Sequence, residues 1–185
     1  MRCQWHASLD APGLDFEWTL ARTEGSGMWI LETIQPDQTW ELGVCLGEIA
    51  DGPLVIALIG DLGCGKTCLA QGVAAGLGVE EEVLSPTYVL VTEYSAPLPL
   101  LHADVYRLDP LGVERIGLEE QLENWTGLAL VEWADRFEQI LPADHLRVCL
   151  EDLGESRRRI RLEAQGEHAK AALVAARQRW GKNDG

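Results

Sequence analysis

Basic residues are scarce in this sequence of 185 residues, which has 15 lysines and arginines against 30 aspartates and glutamates. The resulting net charge of −15 would repel the phosphate backbone of a nucleic acid over most of the surface. An acidic surface suits a basic partner protein, although solubility alone explains most of this charge. The composition therefore argues against a domain that binds nucleic acid on its own.

Long apolar runs and paired cysteines are also missing. The amino terminus is acidic and lacks the apolar stretch of a secretory signal, and no segment approaches the length needed to span a membrane. The five cysteines form no Cys-x-x-Cys pair, and their odd number leaves one over in any set of disulfides. We interpret them as reduced thiols and predict a cytoplasmic protein.

The remaining composition favours one compact domain, with 46% hydrophobic and 24% charged residues. Residues 1–27 show no clear periodicity and end in a glycine-rich run that resembles a linker. We therefore predict a flexible extension over 1–27 and a globular domain over 28–185. Met28 directly precedes the first patterned segment, and we hypothesise that translation starts there.

Apolar patterns after Met28 alternate between strands and helices. An uninterrupted apolar run at 54–59 predicts a central strand that is covered on both faces. Two segments with a short separation, 145–151 and 157–164, predict an antiparallel hairpin. The alternation predicts an α/β fold, a P-loop NTPase-like three-layer sandwich with a mixed, mostly parallel sheet. The other predicted strands cover 29–34, 87–94, 98–105 and 127–132. One predicted helix begins at Pro36, and a second follows Gly65 and stops at Gly76 and Gly78. Two more predicted helices cover 109–124 and 167–180.

One segment matches the Walker A pattern at every fixed position and lies between a buried strand and a helix, as that motif requires. Its glycines let successive backbone amides converge on phosphate oxygens, and the following helix adds its positive amino-terminal end. We expect Lys66 to bridge the β- and γ-phosphates of ATP, and Thr67 to place its hydroxyl on Mg²⁺. A plain glycine-rich turn would explain the glycines but not Lys66 and Thr67. The segment consists of Gly60, Asp61, Leu62, Gly63, Cys64, Gly65, Lys66 and Thr67.

Two acidic residues end predicted strands and are candidates for holding the metal and handling water. Glu132 follows the apolar run 128–131, where a Walker B acid lies, and Asp104 follows the segment 100–103. Either residue alone could be a solvated charge at a strand end. We assign Glu132 to the metal and expect it in a solvated cleft, so that its removal costs little stability.

Two further features carry weaker signals. His102 is a lone histidine, and we expect it to pack or to cap an element rather than to act as a base. A tripeptide before a predicted strand lies where several P-loop enzymes sense the γ-phosphate, although an ordinary turn explains it equally well. It consists of Ser85, Pro86 and Thr87.

Taken in order, these motifs resemble one family, the bacterial TsaE (YjeE) ATPases of tRNA threonylcarbamoyladenosine biosynthesis. The resemblance covers roughly residues 29–165 and rests on the P-loop, the tripeptide with Tyr88, the segment from His102 to Leu108, and the segment 131–133. It implies a protein that binds ATP and Mg²⁺, hydrolyses ATP slowly and works with TsaB and TsaD proteins. Contact with tRNA would come only through that complex, in agreement with the acidic chain, and no contact with a membrane is implied.

The resemblance also implies roles for the residues at matching positions. Lys66 would contact phosphate, and Thr67 and Glu132 would bind Mg²⁺. Asp104 would support the metal or the attacking water. The catalytic candidates are therefore Lys66, Asp104 and Glu132.

Further roles follow from the resemblance at five other positions. Thr39 and Arg157 would contact the nucleotide, and Trp133 would shape the site or face a partner, with packing as the simpler interpretation. The family often has Ala where Cys64 stands and Thr where Cys68 stands, so Cys68 lacks a hydroxyl that could touch the α-phosphate. If the helix N-terminus lowers the pKa of the Cys64 thiol, peroxide should slow turnover reversibly.

Two other functions also use a P-loop. A small-molecule kinase would transfer the phosphate to a bound acceptor, and Arg107 and Arg115 could clamp it, but the sequence has no Arg-rich lid segment of useful length. A nucleotide-dependent binding module would use ATP only to select a conformation. The sequence lacks an Asn-Lys-x-Asp element, which argues against a GTPase.

Overall fold

The structure, a computed structural model, describes residues 27–86 and 88–181. Nearly all of the predicted extension therefore lies outside the described ranges. Within those ranges, none of the helices has the length and apolar character that crossing a membrane would require. The strands are β1 (Met28–Thr33), β2 (Leu54–Ile59), β3 (Val91–Tyr94), β4 (Leu100–Asp104), β5 (Leu128–Glu132), β6 (His145–Gly154) and β7 (Arg157–Gln165). The helices are α1 (Pro36–Glu48), α2 (Lys66–Leu77), α3 (Pro110–Ile116), α4 (Leu118–Asn124) and α5 (Glu167–Trp180), with short 3₁₀ helices at Ala134–Arg136 and Glu138–Ile140.

All the described strands belong to one sheet, in the order β1-β7-β6-β2-β5-β4-β3. The central pairs β6-β2, β2-β5 and β5-β4 are parallel, whereas β1-β7, β7-β6 and β4-β3 are antiparallel. Because β1 and β6 both run against β7, β1 points the same way as the four central strands, and five of the seven strands share one direction. The predicted mixed, mostly parallel sheet and the β6-β7 hairpin are confirmed.

Helices cover both faces of the sheet and complete the predicted three-layer sandwich. Apolar side chains of α1, α2 and α5 pack on one face, and those of α3, α4 and the 3₁₀ segments pack on the other face of β2, β4 and β5. Successive side chains of a strand point to opposite faces. Leu128 and Leu130 of β5 pack in the layer with α2, so Glu132, which has the same parity, points to the start of that helix.

Close packing of α1 against α2 depends on glycines in both helices. A Cβ on Gly43 would lie 2.3 Å from a backbone oxygen of α2, and a Cβ on Gly72 would lie 2.1 Å from one of α1. A Cβ on Gly47 or Gly76 would lie 2.2 Å from a backbone oxygen of the other helix, so larger residues would force the helices apart. The prediction that Gly76 helps to end α2 is wrong. The residue lies inside the helix, and Gly78, with φ of 80°, follows the last helical residue.

Two predicted elements are shorter than expected. The helix predicted over 109–124 divides at Gly117, whose φ of 63° ends α3 before α4 begins. The strand predicted over 87–94 begins only at Val91. The Pro86 carbonyl accepts hydrogen bonds from two of the amides that follow it, and these bonds turn the chain where a strand was expected.

Candidate nucleotide site

The Walker A segment forms the connection between β2 and α2. Gly60 and Gly65 have φ values of 143° and 111°, a region of backbone conformation that residues with a Cβ rarely adopt. A Cβ on Gly60 would also lie 2.3 Å from the carbonyl oxygen of Leu150 in β6. The loop therefore lies directly against β6 at its first residue, whereas Leu62 near its tip is 84% exposed.

The first turn of α2 contains no acidic residue of its own. Gly65 is its N-cap residue and offers no side chain to cap the helix. A helix N-terminus presents unpaired N–H groups and a partial positive charge of about half a unit. An anion in the loop would meet both, so this end of the helix is suited to bind phosphate.

Lys66 lies inside the loop, with 5% of its surface exposed. Its Nζ donates to the carbonyl oxygens of Gly60 and Asp61 at 2.7 and 2.9 Å, and it lies 3.6 Å from the ring centroid of Trp133. The Trp133 ring also packs against Tyr106, with 4.6 Å between the ring centroids. Neutral oxygens and the face of an aromatic ring thus surround the buried ammonium group and stabilise it.

Glu132 is the last residue of β5 and contacts the start of α2. Its Oε1 and Oε2 accept from the Thr67 hydroxyl at 3.3 and 3.2 Å, and Oε1 lies 2.9 Å from His102 Nε2. An ionised carboxylate only accepts, so His102 donates through Nε2. Glu132 is 2% exposed and His102 is fully buried, and the prediction of a solvated cleft around Glu132 is therefore wrong.

Asp104 ends β4 and is the register partner of the acid that ends β5. Its Oδ2 accepts from the Ser85 hydroxyl at 3.3 Å, and its Oδ1 accepts from the Tyr106 amide at 2.8 Å. Like its neighbour, the Asp104 side chain is only 2% exposed. The two predicted acids thus lie on adjacent strand ends, and Ser85 contacts one of them, Asp104. Pro86 forms the turn that follows, and Thr87 lies outside the described residues.

Thr39 lies behind the loop, in the first half of α1. Its hydroxyl shares a hydrogen bond of 2.8 Å with the hydroxyl of Thr33 in β1, and its side chain is 2% exposed. Its Cγ2 lies 3.7 Å from the position that a Cβ on Gly65 would occupy. Thr39 therefore packs against the end of the loop, and its hydroxyl is engaged with β1.

Arg158, which was not among the residues predicted for the site, contacts the loop directly. Arg158 Nε donates to the Cys64 carbonyl oxygen at 2.8 Å, and Nη2 donates to that of Gly63 at 3.4 Å. Arg157, which was assigned to the nucleotide instead, is exposed at the first position of β7. The alternation of side chains along β7 predicts this contact. Arg158 and Ile160 are two residues apart and point to the same face of the sheet, where Ile160 packs in the layer with α2.

The two cysteines of the site differ in exposure. Cys64 is 1% exposed, and its Sγ lies 3.8 Å from Lys66 Nζ. Burial raises the pKa of the Cys64 thiol, and the opposing effect of Lys66 is smaller. The Lys66 backbone amide at the start of α2 also lowers this pKa, in the direction of the hypothesis, but burial outweighs it and the pKa stays above its ordinary value. Cys68 is partly exposed, and its thiol donates to the Pro36 carbonyl at 3.4 Å.

Two cavities lie near the phosphate-binding loop and the start of α2. One has a volume of about 320 Å³ and lies between the start of α1, one side of α2 and the segment after α2. Cys68, the residue after Thr67, and Trp40 both line it. The other has a volume of about 450 Å³ and lies between the start of the loop, Trp133 and the end of β6. The start of α2 thus has open space on the side toward α1.

Known protein families include one whose model matches more than half of this chain. The family model described as "Threonylcarbamoyl adenosine biosynthesis protein TsaE" matches residues 33–160. The chain belongs to the TsaE family. Curated proteins with the TsaE name include one from Bacillus subtilis, 38% identical over 135 residues that make up 72% of this chain and 84% of the relative. A relative from Nostoc is 41% identical over 118 residues, 62% of this chain and 72% of its own length.

A solved structure is also similar to this TsaE chain. The crystal structure of YdiB from Bacillus subtilis superposes with a TM-score of 0.70 at 29% identity, over 82% of this chain and 95% of that one. The predicted family and the P-loop NTPase-like fold are thus confirmed. The matched range 33–160 contains all the candidate site residues named above, from Thr39 to Arg158.

Proposed function

We propose that this TsaE chain binds ATP with Mg²⁺, hydrolyses it slowly, and serves the machinery that makes threonylcarbamoyladenosine next to the tRNA anticodon. One observation carries the proposal: the start of α2, which has a glycine as its N-cap residue, combines Lys66 inside the loop with a Thr67 hydroxyl that faces Glu132. The helix end and the Lys66 ammonium group suit the phosphates of a nucleoside triphosphate, and the pair of Thr67 hydroxyl and Glu132 carboxylate suits its metal ion. Together they favour such a ligand over a simple anion.

Lys66 would bind the β- and γ-phosphates in exchange for its present partners. Those partners are the carbonyl oxygens of Gly60 and Asp61, at 2.7 and 2.9 Å. Phosphate oxygens carry negative charge and therefore compete well with neutral carbonyls for an ammonium group. Nucleotide binding would thus break the hydrogen bonds between Lys66 and the first two carbonyls of the loop.

Thr67 and Glu132 are the residues that would hold Mg²⁺. Hydroxyl and carboxylate oxygens are the hard ligands that Mg²⁺ prefers, and these two side chains lie 3.2 to 3.3 Å apart. Among the described residues, no cluster of three or more His, Cys, Asp or Glu is arranged to hold a metal. A sparse site suits Mg²⁺ that binds together with phosphates, because substrate oxygens and water complete its shell. When bound, the ion would neutralise the charge that develops as the phosphates separate.

Asp104 would support the metal or orient the attacking water. It lies next to Glu132 in the register of the two parallel strands, at the edge of the sheet where ligands of α/β folds bind. The Ser85 hydroxyl already donates to Asp104 Oδ2. We propose that Ser85, Pro86 and Thr87 sense the γ-phosphate through this contact.

The nucleoside would lie in the cavity of about 320 Å³ between α1 and α2. Cys68 lines this cavity and directly follows Thr67, so the space begins where the phosphates would end. Trp40 is 41% exposed and offers an aromatic face for stacking. The Asp37 carboxylate, which also lines the cavity, would accept a hydrogen bond from the amino group of adenine and repel the O6 atom of guanine.

A direct test measures binding and turnover together. Calorimetry should show that ATP binds in the presence of Mg²⁺ and that GTP binds more weakly. Hydrolysis should be slow in the wild type and absent in Lys66→Ala. A phosphorylated metabolite formed with stoichiometric ADP would instead indicate a kinase. The absence of turnover even with purified partners would indicate a binding module, and a wild type that binds no ATP would overturn the proposal.

The partners that we propose are TsaB and TsaD, in the cytoplasm. Membership of the TsaE family supports this assignment, and a net charge of −15 favours contact with tRNA only through the complex. Co-purification from native cells, with and without ATP, tests it. Recovery of both partners in an ATP-dependent manner is the expected result, and their absence under both conditions would contradict the assignment.

A further inference from the structure

We propose that Arg158 is a positioning residue of the phosphate-binding loop, which orients the loop so that the Gly65 amide faces the phosphate. The inference rests on the proposed nucleotide site and adds a residue from the β6-β7 hairpin. The Walker A pattern includes no such residue, because the pattern covers only the loop and the first residues of its helix.

The Arg158 guanidinium donates hydrogen bonds to four acceptors. Nε donates to the Cys64 carbonyl at 2.8 Å, and Nη2 donates to the Gly63 carbonyl at 3.4 Å. Nη1 donates to Asp152 Oδ1 and to the Arg157 carbonyl, both at 2.8 Å. The side chain is only 18% exposed. A planar fork with five N–H donors can satisfy these acceptors together, whereas a lysine ammonium at the end of a flexible stem is one point charge.

Lys66 and Arg158 hold opposite ends of the loop. Lys66 holds the two carbonyls at its start, and Arg158 holds two carbonyls near its end. In a trans peptide the N–H points away from the C=O of the same unit. Because the Cys64 carbonyl points to Arg158, the Gly65 N–H points to the opposite side. If Lys66 leaves its carbonyls for phosphate, Arg158 still fixes the end of the loop.

The β6-β7 hairpin directs Arg158 to the loop and Arg159 to carboxylates on neighbouring strands. The β6-β7 register shifts between Asp152 and Gly154, and Arg158 pairs across the strands with Asp152. Arg159 has the opposite parity and forms ion pairs with carboxylates of β1 and β6, among them Glu32 at 2.9 Å. Arg159 is therefore a matched control, with the same charge and strand but no contact with the loop among its hydrogen bonds described here.

The experiment measures ADP binding by calorimetry in EDTA, so that Thr67, Glu132 and Mg²⁺ do not contribute through the metal. Arg158→Gln should weaken binding about ten-fold, since it removes hydrogen bonds from a charged donor to the loop. Arg158→Lys should fall between Arg158→Gln and the wild type. Arg159→Gln should bind ADP as the wild type does. Melting temperatures of all the variants show whether they remain folded.

Several outcomes would overturn the inference. One is a lower melting temperature of Arg158→Gln with unchanged ADP affinity, which would indicate a purely structural tie between hairpin and loop. Full affinity in Arg158→Lys would show that charge alone suffices. Equal losses in Arg158→Gln and Arg159→Gln would indicate a general charge effect. A wild type that binds no ADP would overturn the proposed function, and this inference with it.

Discussion

His102 and Glu132 form a buried pair at the carboxyl end of the sheet, with His102 Nε2 2.9 Å from Glu132 Oε1. The other ring nitrogen of His102, Nδ1, is buried and has no hydrogen-bond partner among the described residues. The Thr67 hydroxyl meets the same carboxylate from the start of α2. The proposed metal ligand is thus in contact with a buried histidine, as the ligands of many metal sites are with groups outside the first shell.

Replacing His102 should weaken the use of Mg²⁺ without affecting metal-free binding. In His102→Leu, Glu132 loses one of its two donors, and the Mg²⁺ concentration for half-maximal ATP binding should rise about 10- to 100-fold. ADP affinity in EDTA should stay unchanged, and His102→Gln should recover part of the loss because it keeps an N–H donor. His145→Leu is the control, because His145 lies in the same sheet and bonds to the Pro142 carbonyl. An unchanged Mg²⁺ requirement in His102→Leu would contradict the prediction.

Glu132→Gln should lower the hydrolysis rate by at least about 100-fold while the protein stays folded. Glutamine keeps the shape and one acceptor for its neighbours but removes the charge that Mg²⁺ needs. Glu132→Ala should in addition cost about 1–3 kcal/mol of unfolding free energy, because the buried His102 and the partly buried Thr67 hydroxyl lose their acceptor. Steady-state hydrolysis and denaturant unfolding measure the two effects. Glu138→Gln, at an exposed site paired with Arg147, is the control, and near-normal hydrolysis in Glu132→Gln would refute the assignment.

Lys66→Ala and Lys66→Met should both lose ATP affinity by about ten-fold or more and show no hydrolysis, because neither keeps the ammonium for phosphate. Methionine preserves most of the side-chain volume beside Trp133, so Lys66→Met should have a higher melting temperature than Lys66→Ala. Calorimetry and thermal unfolding separate binding from stability. Lys170→Ala, on the surface of α5, serves as the control. ATP binding at wild-type strength in Lys66→Met would exclude the proposed phosphate contact.

Cys64 should resist thiol reagents in the native protein. It is 1% exposed and burial raises the pKa of its thiol, so little thiolate is present or accessible at pH 8. Cys68 is partly exposed and should react first of the two. Peptide mapping by mass spectrometry after timed alkylation gives the order, with urea-unfolded protein as the reference in which both react. Faster labelling of Cys64, or reversible loss of turnover in peroxide that Cys64→Ala prevents, would restore the hypothesis of a redox-sensitive loop.

Asp144 should stabilise α5 in a pH-dependent manner. Its carboxylate accepts from the amides of His168 and Ala169 at 2.9 and 2.8 Å. Although burial acts in the opposite direction, these bonds lower the pKa of Asp144 below its ordinary 3.8. The stabilisation is therefore complete above about pH 4 and is lost as pH falls through the lower value in the folded state.

Asp144→Ala should cost about 1 kcal/mol of unfolding free energy at pH 7, as the loss of a helix cap does, and much less near pH 2. Denaturant unfolding over this pH range measures the difference. Glu167→Gln, at the same end of α5 but with its carboxylate bonded to Lys170, should not show this pH dependence. A cost for Asp144→Ala that is equal at both pH values would contradict the prediction.

Local patterns in the sequence predicted most of the elements but not how distant segments pair. The run at 54–59 is apolar because both faces of β2 are covered, and such a run is visible without any neighbour. The pairing of β1 with β7 joins Met28 to Glu163, and no local pattern specifies a partner so far along the chain. The break at Gly117 was missed because an isolated glycine within a helical pattern is usually tolerated.

By itself the sequence determined the phosphate loop and the acids that end two strands, because a Walker A turn and a strand end are properties of short segments. Only the tertiary structure decided that Glu132 is buried against His102, that Arg158 contacts the loop, and that the Cys64 thiol is shielded. Burial and side-chain direction arise when β4, β5 and the β6-β7 hairpin pack around α2. These segments meet only in the folded chain, so their contacts, and the pKa values that depend on them, cannot be determined from any one segment.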